Sequence, residues 1–271
     1  MEANYISFDH EKSDGRIREI LDSAETFDEV DGIPARSSLT YSNGFYVNCT
    51  ALFIDIRGSS KLAASHTRPV LGKLYRAYLS ECVAVMNGNT NCREVFINGD
   101  CVSGIFNTRY KQDIDDVFCT AAILNSASQI LNWRLEQKGY ATFLCGIGMA
   151  YGRALMLKAG YNGSGINDVI WMGEVVNEAS NLCHDGNRGS RNTLQASTTV
   201  HENLNDYNKG LLKPVSQSYL HEIEQYEGEV INTVMNDYLE ELKKKAEESK
   251  RAAQMARGGL LSGLMINNRG W

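Results

Sequence analysis

The sequence lacks several features that would place it in common classes of protein. None of its seven cysteines forms a C-x-x-C pair, and an odd number of scattered thiols does not suggest a disulfide framework. No apolar run approaches the roughly 20 residues that a membrane helix needs, and the N-terminus is too polar for a signal peptide. We therefore expect a protein of the cytoplasm without a membrane span.

Basic residues are too few for a surface that holds nucleic acid. Lys and Arg number 27 against 33 Asp and Glu, which gives a net charge of −6. The histidines also show no spacing typical of metal ligands. An anionic ligand would then need a local device such as a metal ion, and a template-dependent polymerase is disfavoured because it must hold a duplex.

Composition divides the chain into three regions. Residues 1–44 are polar and rich in turn residues, which predicts an N-terminal extension that lies on the surface or serves in assembly. Residues 45–228 have the texture of a packed domain. Residues 229–271 contain many strong helix formers, which predicts a solvated helix, with a partner-binding or membrane-surface helix as the alternative.

The apolar pattern of the middle region predicts an α+β fold, an antiparallel-rich sheet with helices on one side. The predicted order is strand 46–56, helix 71–85, hairpin 95–106, helix 114–124, strands 143–150 and 154–158 with Gly152 near their turn, strand 168–172, helix 173–183, loop 185–191, strand 193–196, helix 199–203, and strands 214–219 and 221–226.

Two acidic residues stand at positions that neighbouring strands could bring together. Asp55 ends the apolar strand in FIDIRGSS (53–60), and Asp100 lies in the turn of FINGDCVSGIF (96–106). Paired carboxylates repel unless a cation lies between them, and Mg²⁺ or Mn²⁺ prefers oxygen ligands. The pair predicts a metal-assisted nucleoside triphosphate site, with the amides of the turn Gly58 to Ser60 pointing at phosphate oxygens.

Each acid alone has an ordinary explanation. Aspartate is common at helix caps and in turns, so Asp55 could cap the following segment and Asp100 could be a turn residue. The combination with two further segments, GIGMAYGRA (146–154) and IWMGEVVNEASNL (170–182), favours the metal site.

In this order, the segments resemble the catalytic domain of class III nucleotide cyclases over residues 45–228. The resemblance implies a ferredoxin-like palm that forms a homodimer and holds its active site at the dimer interface. It also implies that the ribose 3′-hydroxyl attacks the α-phosphate and expels pyrophosphate, with two divalent ions, Mn²⁺ or Mg²⁺, at each site.

The resemblance assigns roles to individual residues. It implies three metal ligands, the carboxylates of Asp55 and Asp100 and the backbone carbonyl of Ile56. It implies four substrate contacts, the triphosphate-binding turn amides of Ser59 and Ser60, the ribose-orienting Asn177, and Lys213 at the terminal phosphates. For Lys213 a solvated lysine is the alternative, and Pro214 replaces the glycine usual after it.

The polar residues that read a purine base in this family are missing. Phe96 and Ile170 stand at those positions, the latter followed by Trp171 and Met172. The polar groups on the edge of a bound purine would find no hydrogen-bond partner, at a cost of about 1–3 kcal/mol for each group. Large side chains at these positions should also narrow the pocket, so that it suits a one-ring base. The W-M-G-x-x-V-N-x-A-S pattern is similar to the bacterial pyrimidine cyclases of the Pycsar anti-phage system, although core packing would also explain Phe96 and Trp171.

The transition-state arginine of the family is replaced by Asn181. An arginine in that role can contribute about 10³ or more in rate, so we expect a substitute. The candidates are Arg57, Arg188 and Arg191, for each of which a surface arginine is the alternative.

These observations predict a pyrimidine nucleotide cyclase that makes 3′,5′-cyclic UMP from UTP for a downstream cyclic-nucleotide-binding effector. UTP is favoured over CTP on overall likeness, since no residue distinguishes the O4 edge from the N4 edge. A cytidylate cyclase, a purine cyclase and a non-catalytic nucleotide-binding module remain alternatives.

Overall fold

A nine-stranded mixed sheet forms the centre of the computed structural model, which describes residues 2–3, 5–216 and 223–266. The strands are β1 (Thr26–Glu29), β2 (Asn43–Ile56), β3 (Cys92–Asn98), β4 (Cys101–Phe106), β5 (Cys145–Tyr161), β6 (Ile166–Met172), β7 (Leu194–Ser197), β8 (Lys213–Ser216) and β9 (Ile223–Gly228). The helices are α1 (His10–Asp22), α2 (Ser59–Ser65), α3 (Arg68–Asn87), α4 (Lys111–Gln137), α5 (Glu174–Asp185), α6 (Thr198–Asn203), α7 (Asp206–Lys209) and α8 (Thr233–Ile266), and a 3₁₀ turn spans Arg36–Ser38.

Strand β2 lies at the middle of the sheet, whose order is β3-β4-β2-β5-β7-β9-β8. It pairs antiparallel with β4 on one side and with β5 on the other. Strand β1 pairs with the start of β2, and β6 pairs with the end of β5. The predicted α+β class is confirmed. Residues 217–222, where the predicted strands 214–219 and 221–226 meet, lie outside the described residues.

Alternation along β2 builds two separate cores because successive side chains point to opposite faces. Leu52, Ile54 and Ile56 are buried in one cluster with side chains of α3 and α4. Cys49 and Ala51 are buried on the other face, in a cluster that includes side chains of α5. Helices therefore cover both faces of the sheet, and the prediction that they lie on one side was wrong.

Strand β5 is the other difference from the predicted order. The sequence predicted two strands with a turn near Gly152, whereas β5 runs without a break over 17 residues. The turn lies further on, at residues 162–165, where Gly163 and Gly165 have φ values of +86° and +77° that favour glycine. Gly152 instead lies within the strand, where it faces Val175 of α5.

The segment before residue 45, which was predicted to lie on the surface or to serve in assembly, packs onto the domain. The first compact unit of the chain reaches Val230, and it includes β1 and the buried side chain of Leu39. Arg36 anchors this segment through a bidentate pair with Glu94 of β3, at 2.7 and 2.5 Å, and a contact of 3.2 Å with Asp168 of β6.

We expect Arg36→Ala to lower the free energy of unfolding by about 2–3 kcal/mol, because it leaves the Glu94 carboxylate buried without its cation. The side chain of Glu94 is 8% exposed and that of Arg36 is 53% exposed, which places the cost below that of a fully buried pair. Urea denaturation measures the change. Arg18→Ala is the matched control, since Arg18 and Asp14 form an exposed pair whose loss should cost less than about 0.5 kcal/mol. Equal losses in the two variants would contradict the anchoring role of Arg36.

The second compact unit begins at Ile231 and consists of α8 in the described residues. A helix was predicted in this region. Two pairs of opposite charge lie along it, Glu240 with Lys243 at 2.7 Å and Glu241 with Lys245 at 3.7 Å. Across the described parts of the chain, no helix is long and apolar enough to cross a membrane.

Candidate active site

The sheet brings Asp55 and Asp100 to the same place. Ile54 pairs with Val102 in the ladder between β2 and β4, so the next residue of β2, Asp55, lies beside the tip of the β3–β4 hairpin. Asp100 lies in that tip, where Gly99 has a φ of +67°. The predicted hairpin and the predicted meeting of two carboxylates are thus both seen in the structure.

The two carboxylates interact electrostatically. Burial raises the pKa of Asp55, and the negative charge of Asp100 raises it further, while Arg57 and Arg188 oppose the shift. Burial also raises the pKa of Tyr75, and the charges of Asp100 and Asp55 add to that shift. Two neighbouring carboxylates that repel each other form an environment that a cation would stabilise.

The carboxylate oxygens at this place suit a hard divalent cation that takes only some of its ligands from the protein. The Oδ2 atom of Asp100 is buried and has no hydrogen-bond partner among the described residues, which is a costly state for a carboxylate unless a ligand satisfies it. Within residues 2–3, 5–216 and 223–266 there is no group of three or more His, Cys, Asp or Glu side chains that could hold a metal. Magnesium sites commonly combine one or two carboxylates with waters and substrate phosphates. Ile56, the third predicted ligand, is the last residue of β2 and follows Asp55 directly.

The turn after β2 leads directly into a helix. Gly58 has a φ of +65°, and α2 begins at Ser59. The first hydrogen bond of this turn runs from the amide of Lys61 to the carbonyl of Gly58 at 2.9 Å. The amides of Ser59 and Ser60 precede it, so they occupy positions whose N–H groups have no partner within a helix.

Helix α5 carries Asn177 and packs on β5 through glycines. A Cβ atom on Gly148 would collide with the carbonyl of Ala179 and the amide of Cys183, so only glycine lets the helix approach this closely. Asn177 and Asn181 line one groove of about 430 Å³. The same groove is lined by four acidic side chains, Glu174, Glu178, Asp185 and Glu224.

The apolar residues at the base-reading positions belong to the core on the α5 face of the sheet. Trp171 is 8% exposed and Phe96 packs partly buried against the same cluster. The indole Nε1 of Trp171 is buried and has no hydrogen-bond partner in the described residues. Ile170 points the other way along β6 and is 39% exposed. Core packing and a narrowed base pocket are both compatible with this arrangement.

The three arginines considered as substitutes for the missing one occupy different environments. The side chain of Arg57 is largely shielded from solvent and contacts Asp55 at 3.2 Å, as well as carbonyls at the end of α5. Arg188 is exposed, donates from Nε to the carbonyl of His184 at 2.6 Å, and lies near enough to Asp55 to lower its pKa. Arg191 is half-buried in the same loop, and no side-chain hydrogen bond of Arg191 is found in the described part of the chain.

Lys213 lies at the start of β8, opposite Glu227 of β9. Its Nζ atom is 3.1 Å from Oε1 of Glu227, a carboxylate whose side chain is 6% exposed. The pKa of Glu227 lies below its usual value: burial raises it, but hydrogen bonds from Asn192, Gln195 and Lys213 lower it by more. The side chain of Lys213 itself is 61% exposed, so its Nζ atom remains accessible to solvent.

Sequence reasoning missed two sets of contacts around this site. It did not connect Arg36 with Glu94, and it did not see that the guanidinium of Arg57 reaches α5. For the contacts of Arg57, the sequence offers one signal, an arginine two residues after an acid at a strand end. This pattern does not reveal that the arginine binds a carbonyl 126 residues further along the chain.

Two curated proteins similar to this chain are named uridylate cyclases. The chain is 34% identical to the uridylate cyclase of Treponema porcinum over 235 residues, which cover 86% of this chain and 82% of that protein. It is 42% identical to the uridylate cyclase of Gulbenkiania mobilis over 190 residues, 68% of this chain and 74% of that protein. No family model matches the sequence.

Solved structures share the fold at low identity. The adenylyl cyclase CyaB from P. aeruginosa superposes with a TM-score of 0.57 and 17% identity, over 68% of this chain and 94% of that one. A class III adenylyl cyclase-like ATP-binding protein from Pseudomonas aeruginosa gives 0.62 and 18%, over 84% and 48% of the two chains. The fold is that of a class III nucleotide cyclase domain. Within this class, the chain belongs to the family of the uridylate cyclases.

Proposed function

We propose that the protein converts UTP into 3′,5′-cyclic UMP and pyrophosphate. The observation that carries the proposal is the convergence of Asp55 and the orphaned Asp100 carboxylate at the end of β2, in a chain of the uridylate cyclase family. Cyclisation places a sugar hydroxyl against a polyanionic triphosphate, so a site that gathers cations is what the chemistry needs.

Asp55, Asp100 and the carbonyl of Ile56 would hold two divalent ions, Mn²⁺ or Mg²⁺. When bound, such ions lower the pKa of a coordinated hydroxyl and neutralise charge on the phosphates. The residues of the chain supply the orientation. The amides of Ser59 and Ser60 would bind the triphosphate, and Asn177 would orient the ribose.

Negative charge develops on the α-phosphate in the transition state and needs a positively charged side chain to stabilise it. Asn181 stands where the family has an arginine for this role, so another arginine must supply the charge. Arg188 and Arg191 fit this role better than Arg57, because Arg57 already donates to three different residues. The proximity of Arg188 to Asp55 supports it further.

The preference for a pyrimidine rests on Phe96, Ile170 and Trp171. Apart from the buried indole N–H of Trp171, these side chains have no hydrogen-bond donor or acceptor that could bind the edge of a purine. The choice of UTP over CTP rests on what the relatives are named. We propose further that the active enzyme is a homodimer with its sites at the interface, and that its product is read by a cyclic-nucleotide-binding effector in anti-phage defence.

We expect Lys213→Met to raise the KM for UTP about tenfold, which corresponds to roughly 1.4 kcal/mol of binding free energy, with little change in the midpoint of thermal unfolding. Lys213 is 61% exposed, and Glu227 keeps its hydrogen bonds from the amide of Asn192 and Nε2 of Gln195 when the lysine is replaced. The loss of stability should therefore be about 1 kcal/mol, and the lysine is available to phosphate. Steady-state kinetics and thermal unfolding check the two parts. A lowered midpoint with an unchanged KM would show that Lys213 serves β8 and Glu227 alone.

The experiment that tests the proposed function offers the purified protein each of the four nucleoside triphosphates with Mn²⁺. Released pyrophosphate and the mass of the nucleotide product are measured. Cyclic UMP as the main product supports the proposal. Cyclic CMP or a cyclic purine nucleotide as the main product would overturn the assignment of UTP as the substrate. Binding of nucleotide without release of pyrophosphate would favour a non-catalytic module, which the replacement of the arginine by Asn181 allows.

A further inference from the structure

The guanidinium of Arg57 lies at the junction of three elements. Its side chain is 9% exposed, and its Nη1 atom lies 3.2 Å from Oδ2 of Asp55. Nε donates to the carbonyl of Gly186 at 2.7 Å, and Nη2 donates to the carbonyl of Cys183. The amide of Arg57 also donates to the carbonyl of Leu144 at 2.7 Å. One side chain thus links the end of β2 to the end of α5.

The space for this guanidinium depends on a glycine in the neighbouring strand. Gly146 of β5 pairs in register with Asp55. A Cβ atom at this position would overlap Nη2 and Cζ of Arg57. The sequence therefore provides both the arginine and the gap that receives it.

We infer that Arg57 is a positioning residue for cation binding, one that orients the Asp55 carboxylate and fixes the end of α5 against it. By holding Oδ2, it leaves the other carboxylate oxygen of Asp55 for a cation shared with Asp100, whose Oδ2 atom has no hydrogen-bond partner among the described residues. By binding the last carbonyls of α5, it also holds in place the helix on which Asn177 lies. The inference rests on the proposed function, since it assumes that Asp55 is a metal ligand.

The fork of the guanidinium suits this task better than an ammonium group. Three nitrogens in one plane reach three acceptors at once, whereas lysine offers a single point charge. A nearby positive charge also repels a divalent cation, so loss of Arg57 has two opposing effects. The orienting effect should prevail, because removal of a group that hydrogen-bonds a metal ligand typically weakens metal binding about 10–100-fold.

The test measures Mn²⁺ binding to the full-length protein in the absence of nucleotide, by calorimetric titration, for the wild type and for Arg57→Lys and Arg57→Met. The Lys variant keeps the charge and loses the fork. We expect the dissociation constant of Mn²⁺ to rise at least about tenfold in both variants. Arg93→Met is the matched control: Arg93 is exposed on β3 and donates to backbone carbonyls of Thr90 and Cys92, so its loss should leave Mn²⁺ affinity unchanged.

Affinity per folded molecule separates this role from a purely structural one, because reduced stability alone leaves the dissociation constant of the folded fraction unchanged. If Arg57→Met does not fold, Arg57→Lys decides. Unchanged or tighter Mn²⁺ binding in the folded variants would overturn the inference and leave the proposed function intact. Failure of the wild type to bind Mn²⁺ would overturn the metal assignment and the proposed function together.

Discussion

Replacement of Asp55 by asparagine is expected to reduce metal-dependent turnover of UTP on the order of 10³-fold, the scale on which charge stabilisation of a transition state is lost. Asparagine keeps the size of the side chain and an oxygen that can accept from Arg57, but it removes the charge that a divalent cation needs. Asp100→Asn should act in the same way. Rates of pyrophosphate release at saturating Mn²⁺ measure the effect.

The same substitution should not weaken the fold. Because the pKa of Asp55 is raised in the folded state, its ionised form is less favourable there than in the unfolded chain. This penalty is absent below the unfolded pKa, near 3.8, and is fully present above the folded pKa. Thermal unfolding at pH 7 without metal should therefore give Asp55→Asn a midpoint equal to or above that of the wild type.

The two measurements are informative together. Loss of turnover with an undiminished midpoint, and with an unchanged elution volume on gel filtration, identifies a group that acts on the substrate. Full activity in Asp55→Asn or Asp100→Asn would refute the metal assignment. A fall in both activity and stability would mean that Asp55 serves the fold through Arg57, and would leave its role in cation binding without support.

Part of this site could be predicted from the sequence because the relevant signals are local. An apolar strand that ends in Asp55, and a Gly-Asp turn between two alternating segments, specify a strand end and a hairpin tip. Their meeting requires one further assumption, that the hairpin pairs with the strand, and β4 does pair with β2.

The rest depends on contacts between distant parts of the chain. Gly152 lies inside a long strand that pairs with β2. No local pattern reveals that pairing, so the turn was misplaced by about ten residues. The segment that carries Arg36 looked like a surface extension because it is polar, yet the buried carboxylate of Glu94 holds it in place. Polar residues in a short segment do not show whether they face solvent or a buried partner of opposite charge.

Gly148→Ala tests the second feature of the site, the close approach of α5 to β5. We expect this single methyl group to lower the free energy of unfolding by about 3 kcal/mol, the upper end of what overpacking costs. The added atom would overlap the backbone at Ala179 and Cys183, and backbone in the middle of a helix cannot turn aside as a side chain does.

The methyl group should also lower activity in the fraction that remains folded. Helix α5 can accommodate it by moving away from the sheet, and that movement displaces Asn177 and the carbonyls that Arg57 binds. A small misplacement of an orienting group is enough to cost about 10²-fold in rate. Denaturation curves and turnover per folded molecule separate the two effects.

Gly152→Ala is the matched control, since Gly152 lies on the same strand and faces the same helix. Its added Cβ would meet Val175 at 3.5 Å, an ordinary contact, and alanine is favoured over glycine within a strand by roughly 0.5–1 kcal/mol. This variant should therefore be as stable and as active as the wild type. If Gly148→Ala proved equally harmless, α5 would have room to move without consequence, and close packing of the helix could not be what places Asn177.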